Sequence, residues 1–246
     1  MIIVPGINND GVSEADLVSN VKEFFARYTQ REPGCLRYAE VVNEANLAVS
    51  GYGSPAPYAS YYEKAAPIPK SYGIEVITSG TSGEDLTWTT DLSSLLQNAQ
   101  VTPPVNGFGF HPYGVPPSEM VNATTAMRSA AGTSTWYTGQ CAATCIFVTE
   151  IGETNPTALY NTIVNLAWAT PTVTIYEYKE QPGDNTEYGL VDHPSLYSAV
   201  KDAWAYVRSQ QPTPPPPPEA IRNSRSARAG HTASSPALGP SHAART

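Results

Sequence analysis

Leu36-Arg37-Tyr38-Ala39-Glu40-Val41-Val42-Asn43-Glu44 begins as an apolar, strand-like run and stops on an acid. Far downstream, Cys145-Ile146-Phe147-Val148-Thr149-Glu150 repeats the pattern. Between and around these runs, strand-like and helix-like segments alternate. Such alternation predicts a parallel sheet covered by helices. Strands that are apolar on both faces fit a sheet buried on both sides. In a parallel α/β barrel the C-terminal strand ends share one mouth, where active sites form. The two runs would therefore deliver Glu44 and Glu150 to the same place.

Working outward, six strand-then-helix units can be read. Residues 1–4, 36–42, 73–79, 105–110, 145–149 and 173–178 form the strands. Ser13 is placed to cap a first helix with Asp16 in its first turn and a stripe of Leu17, Val21, Phe24, Phe25 and Tyr28. A short helix over 58–66 should end at Pro67 and Pro69. Further helices are expected near 91–99 (Leu92, Leu95, Leu96), over 118–131 (Met120, Ala123, Met127), over 156–168 with Pro156 at its start, and over 194–207 (Leu196, Val200, Trp204, Val207).

The 246 residues suffice for one domain with a sizeable core. From Pro212 the composition changes to a proline run followed by Ser, Ala, Arg and Gly. That stretch has too little apolar surface to offset its ordering entropy and is expected to be a disordered tail. The division is thus residues 1–211 as the barrel domain and 212–246 as the tail. The tail holds four arginines and one acid, a net of +3, so the −8 of the whole chain leaves −11 on the body. An acidic body argues against nucleic acid as a partner. No apolar run approaches membrane-spanning length, and the start Met-Ile-Ile-Val-Pro-Gly lacks the features of a signal peptide. No Cys/His spacing resembles a metal site, so neither a metal nor a cofactor is expected. Cys141 and Cys145 flank one short loop and could pair; two unremarkable thiols explain them equally well. There is no Gly-x-Ser-x-Gly elbow of a serine hydrolase.

Four motifs in order carry a resemblance: Val41-Val-Asn-Glu-Ala-Asn46, Gly107-Phe-Gly-Phe-His-Pro-Tyr-Gly114, Phe147-Val-Thr-Glu-Ile-Gly-Glu153, and Ile175-Tyr-Glu-Tyr178 with Tyr188-Gly-Leu-Val-Asp192. Together they resemble the retaining (β/α)8-barrel glycoside hydrolases of clan A, most closely families 39 and 5. They look like the motifs after that clan's fourth, sixth, seventh and eighth strands. The resemblance implies a TIM-type (β/α) barrel. With Glu44 after strand four, the chain carries about six of eight βα units and lacks the first two strands.

The same resemblance implies the chemistry. Glu44 would be the general acid/base and Glu150 the nucleophile of a double displacement at a β-glycosidic bond, with an oligo- or polysaccharide as substrate. Asn43 would contact the sugar 2-hydroxyl, and His111 or Tyr113 would hold Glu150. Tyr178 or Glu177 stands where the clan often has tryptophan. Two carboxylates about 5 to 5.5 Å apart are what retention requires. The acid should have a raised pKa through its neighbouring carboxylate and partial burial. Glu153 is a competing candidate nucleophile, although an acid in the first turn before Pro156 also suits a helix dipole. Glu40 either points into the barrel or pairs with Arg37. Tyr52, Tyr58, Tyr61, Tyr62, Trp88, Trp136 and Tyr137 lie near the mouth, where most are expected to pack rather than stack on sugar. A non-catalytic carbohydrate-binding or scaffold barrel is the alternative function.

Overall fold

The computed structural model describes residues 2–3, 13–100, 105–132, 146–177, 179 and 187–211. Cys141, Cys145, Trp136, Tyr137, Tyr178 and the 212–246 tail lie outside them. In chain order the elements are β1 (Ile2–Ile3), α1 (Glu14–Arg31), β2 (Tyr38–Glu40), α2 (Pro55–Ala65), α3 (Pro67–Ser71), β3 (Glu75–Ile77), β4 (Thr81–Ser82), α4 (Leu86–Asn98), β5 (Phe108–His111), α5 (Met120–Ala131), β6 (Ile146–Ile151), α6 (Pro156–Leu166), β7 (Val173–Ile175) and α7 (Pro194–Gln210).

Every strand pairing is parallel. The order is β1-β2-β3 and β4-β5-β6-β7, and an Ile77–Gly107 bridge joins the two sets. The helices pack side by side: α1 on α2 and α3, α2 on α3 and α4, α4 on α5, α5 on α6, and α6 on α7. The pleat divides the strand side chains into two sets. Ala39, Val76, Phe108, Phe110, Ile146 and Val148 face the helices and form the main core. On the opposite face, Tyr38 of β2 and Ile77 of β3 meet Phe147 of β6, with the Tyr38 and Phe147 ring centroids 4.9 Å apart. β2 and β6 are not neighbours in the sheet, so their contact requires the sheet to curl around a barrel interior.

Local chemistry explains the helix starts. The Ser13 hydroxyl accepts the Asp16 N–H at 3.2 Å, and the Asn155 side chain accepts from Thr157 and Ala158 just before Pro156. Three expectations change. Pro67 and Pro69 do not merely stop a helix; Pro67 opens α3, where a missing N–H costs nothing. The helix expected at 91–99 starts earlier, at Leu86, because the Asp85 carboxylate accepts the Trp88 N–H at 3.0 Å. Leu95 consequently lies on its outer side, 36% exposed.

The third strand, expected over 73–79, stops at Ile77, and a separate two-residue strand follows at Thr81–Ser82. The Ser79 N–H donates to the Tyr58 hydroxyl and the Gly80 N–H to the Glu40 carboxylate, each at 2.7 Å. Both groups are thereby withdrawn from the strand ladder, and pairing resumes at Thr81.

Candidate active site

Because the strands are parallel, their C-terminal ends lie on one side. Glu44 follows β2 by four residues, His111 closes β5, and Glu150 is the penultimate residue of β6. The turn into Glu44 is strained. Val42 and Glu44 have φ of 73° and 47°, a left-handed conformation costing on the order of 1–3 kcal/mol each. Long-range bonds hold it. The Tyr58 hydroxyl donates to the Val41 carbonyl at 2.8 Å, and the Ala45 N–H to Ser79 Oγ at 2.8 Å. The Asn46 amide brackets Ser82, donating to its carbonyl at 3.2 Å and accepting its N–H at 2.9 Å.

His111 sits between the two acids with no solvent exposure. Its Nδ1 lies 3.2 Å from Glu44 Oε1 and 3.9 Å from Glu150 Oε2. Its Nε2 lies 3.0 Å from Thr149 Oγ1 and 3.6 Å from Glu40 Oε1. The last is a charge contact rather than a hydrogen bond. The Tyr113 hydroxyl donates to Glu150 Oε1 at 2.5 Å. One oxygen of Glu44, one oxygen of Glu150 and a nitrogen of His111 all lie within 4.8 Å of one another. The side chains of Glu44 and Glu150 remain 19% and 20% exposed, open to a ligand.

The electrostatics follow from this placement. Burial would push the His111 imidazole down, but Glu40, Glu44 and the charge of Glu150 outweigh it and raise its pKa to about 10. The ring is therefore an imidazolium at neutral pH, with both nitrogens donating. The hydrogen bond from His111 holds the Glu44 carboxyl below its ordinary value despite partial burial, with Ser82 assisting. Burial raises Glu150, opposed by the His111 charge and the Tyr113 hydroxyl. Burial and the bond to Glu150 raise Tyr113 as well. The raised pKa expected at Glu44 is not what this arrangement gives: the His111 hydrogen bond outweighs desolvation and lowers it. Glu44, His111 and Glu150 offer donor types that a metal ion could also use, while their contacts with one another, Thr149 and Tyr113 account for their placement.

Glu44, Glu150, His111 and Tyr113 come together, and Tyr113 is the residue that holds Glu150. Asn43 is exposed beside Glu44, while Asn46 is the amide that fixes the turn. Glu153 accepts the Asn155 N–H at 2.9 Å ahead of α6, a capping position. Glu40 does not pair with Arg37. It is fully buried in the barrel interior, whereas Arg37 is exposed with its guanidinium 5.2 Å from the Tyr38 ring centroid. Tyr58, Tyr61, Tyr62 and Trp88 are buried packing residues, as expected.

Sequence patterns gave no sign of Gly80, Thr149 or Ser82. Tyr176 and Tyr188 also flank the site. Tyr188 lies 6.3 Å from Tyr113 and 6.2 Å from Tyr176 by ring centroids. A Cβ at Gly152 would meet Tyr188 at 2.8 Å and Tyr113 at 3.0 Å, so a glycine is needed there.

Among solved structures, the chain resembles a family 39 glycoside hydrolase from Xanthomonas axonopodis pv. citri, with a TM-score of 0.61 and 16% identity over 81% of this chain and 46% of that one. It resembles a family 39 β-xylosidase from Caulobacter crescentus with a TM-score of 0.57 and 18% identity, over 80% of this chain and 46% of that one. The fold is that of the clan A glycosidase barrels. A family 128 endo-β-1,3-glucanase from Sorangium cellulosum gives a TM-score of 0.54 at 14% identity, over 82% of this chain and 80% of that one. The chain spans about half the length of the family 39 enzymes it matches. No family model and no curated protein matches the sequence. Among the described residues, no helix is long and apolar enough to cross a membrane.

Proposed function

We propose that this barrel is the catalytic unit of a retaining β-glycoside hydrolase acting on an oligo- or polysaccharide. The observation that carries the reading is the approach of the Glu44 and Glu150 carboxyls to within 4.8 Å, from the ends of separate strands. Retention needs two carboxyl groups about 5 to 5.5 Å apart, too close for a water to attack from the far side.

Glu150 attacks the anomeric carbon and displaces the leaving oxygen, which takes the proton of Glu44. Glu44 then removes a proton from water, which attacks the glycosyl ester and releases Glu150. Tyr113 aims the nucleophile through its hydrogen bond. His111 neutralises part of the charge that two adjacent carboxylates would otherwise accumulate. In the free site the His111 hydrogen bond holds the Glu44 carboxyl low, and burial raises that of Glu150. Positive charge developing at the sugar beside Glu150 favours its anion, and that anion favours a proton on Glu44. Asn43 lies on the same strand end and is exposed to a bound sugar.

The test is turnover of a panel of aryl β-glycosides by the wild type, Glu44→Gln and Glu150→Gln. Each variant should lose about 10²–10⁴-fold or more, and wild-type turnover in either rejects its role. A folded wild type that binds oligosaccharide but cleaves no glycoside would favour the non-catalytic binding barrel.

A further inference from the structure

Glu40 is the buried acid that the two-carboxylate reading leaves unused. It is the last residue of β2 and points into the barrel with no solvent exposure. Its Oε1 accepts the Gly80 N–H at 2.7 Å and stands 3.6 Å from His111 Nε2. Its Oε2 has no hydrogen-bond partner among the described residues. An unpaired buried carboxylate oxygen is expensive, so packing does not account for an acid here. Gly80 supplies the other half of the arrangement. A Cβ at this position would lie 2.2 Å from His111 Nε2, so the imidazole fits only against a bare backbone.

We propose that Glu40 is a positioning residue: with Gly80 it forms a seat that holds the His111 ring between Glu44 and Glu150 as a charged, two-sided donor. The groups facing the ring are Glu40 and Glu44 from β2 and its turn, Thr149 and Glu150 from β6, Tyr113 from the segment after β5, and Gly80 from the break between β3 and β4. Carboxylates therefore lie off both ring nitrogens, which keeps a proton on each. The raised imidazole pKa agrees with this geometry, Glu40 being the largest contribution opposing burial. Where the inference concerns proton sharing between Glu44 and Glu150, it rests on the glycosidase reading. The seat itself does not.

The test is NMR titration of the histidine imidazoles in the wild type and in Glu40→Gln, which keeps the shape and removes the charge. His111→Asn assigns the signal. In the wild type His111 should stay protonated to about pH 10; titration near 6.5 overturns the proposal, and this arm needs no variant to fold. In Glu40→Gln the midpoint should fall by about one to three pH units. An unchanged midpoint in a folded variant overturns the positioning role, and a lower melting temperature alone would not rescue it. The kcat/KM profile of Glu40→Gln should move to lower pH on the limb that Glu150 sets, because the Glu40 charge raises Glu150 while His111 stays protonated where the carboxylates titrate, with kcat changing more than KM. This readout separates the two proposals: a protein that cleaves no glycoside but shows the imidazole shift retains the seat and loses the glycosidase reading.

Discussion

Replacing Gly80 by alanine tests the site geometry without relying on turnover. The added Cβ would lie 2.2, 2.5 and 2.9 Å from Nε2, Cδ2 and Cε1 of His111. Carbon contacts are comfortable at about 3.5–4.0 Å, so ring and methyl must separate by roughly 1 Å or more. The ring cannot retreat without leaving Glu44 at 3.2 Å and Thr149 at 3.0 Å. The Gly80 backbone cannot retreat freely either, since it lies directly against Gly109, where a Cβ would come 2.6 Å from the Gly80 N. Overpacking of this kind costs about 1–3 kcal/mol, and a displaced hydrogen bond adds about 1 kcal/mol. For a domain of this size that corresponds to a melting temperature lower by about 4–16 °C. The decisive comparison is the His111→Ala background, where the methyl enters space vacated by the ring. There Gly80→Ala should be neutral or stabilising, giving a coupling of about 2–4 kcal/mol in urea denaturation at pH 6. Equal cost in both backgrounds would refute the contact and the reasoning built on it.

Three further outcomes follow from the same contacts. Tyr113→Phe removes the hydroxyl that donates to Glu150; a bond to a charged group is worth about 1.5–3 kcal/mol, so kcat/KM on an aryl β-glycoside should fall about 10- to 150-fold, and an unchanged value would remove Tyr113 from the site. His111 has a folded pKa of about 10 against roughly 6.5 unfolded. Its stabilising contribution is therefore complete below about pH 6.5 and disappears as pH rises through about 10. Denaturation measured at pH 6 and pH 10 should show an alkaline loss of up to about 4–5 kcal/mol, absent in His111→Asn; equal pH dependence in both proteins contradicts the assigned charge. The cation lowers both Glu44 and Glu150, so His111→Asn should also move both limbs of the pH–rate profile upward, and a downward movement would reverse the sign of the electrostatic argument.

Features set by neighbours in sequence were readable in advance. Ser13 caps the helix that follows it, Pro156 opens another, and the apolar runs ending at Glu44 and Glu150 become strands whose acids meet. Features set by distant residues were not. The early end of the third strand and the resumed pairing at Thr81 were among these, because the groups that take the N–H bonds of residues 79 and 80 come from Tyr58 and Glu40. For Glu40, a local pairing with Arg37 could be guessed from spacing, whereas the actual partners, Gly80 and His111, are brought in by sheet curvature. The direction of the Glu44 shift was misjudged for the same reason: the deciding hydrogen bond comes from His111 on β5, 67 residues away in the chain. Asn43 and Asn46 look alike in the motif, and only the backbone strain at Val42 and Glu44 decides which one braces the turn.

The most direct measurement is covalent trapping with a 2-deoxy-2-fluoro β-glycoside bearing a good leaving group, followed by peptide mass spectrometry. The fluorine slows hydrolysis of a glycosyl ester and leaves the sugar on the attacking carboxylate. A stable adduct on Glu150, absent in Glu150→Gln, is the predicted result. Attachment at Glu44 or Glu153, or steady cleavage of β-glycosides with no label on any carboxylate, would contradict the account.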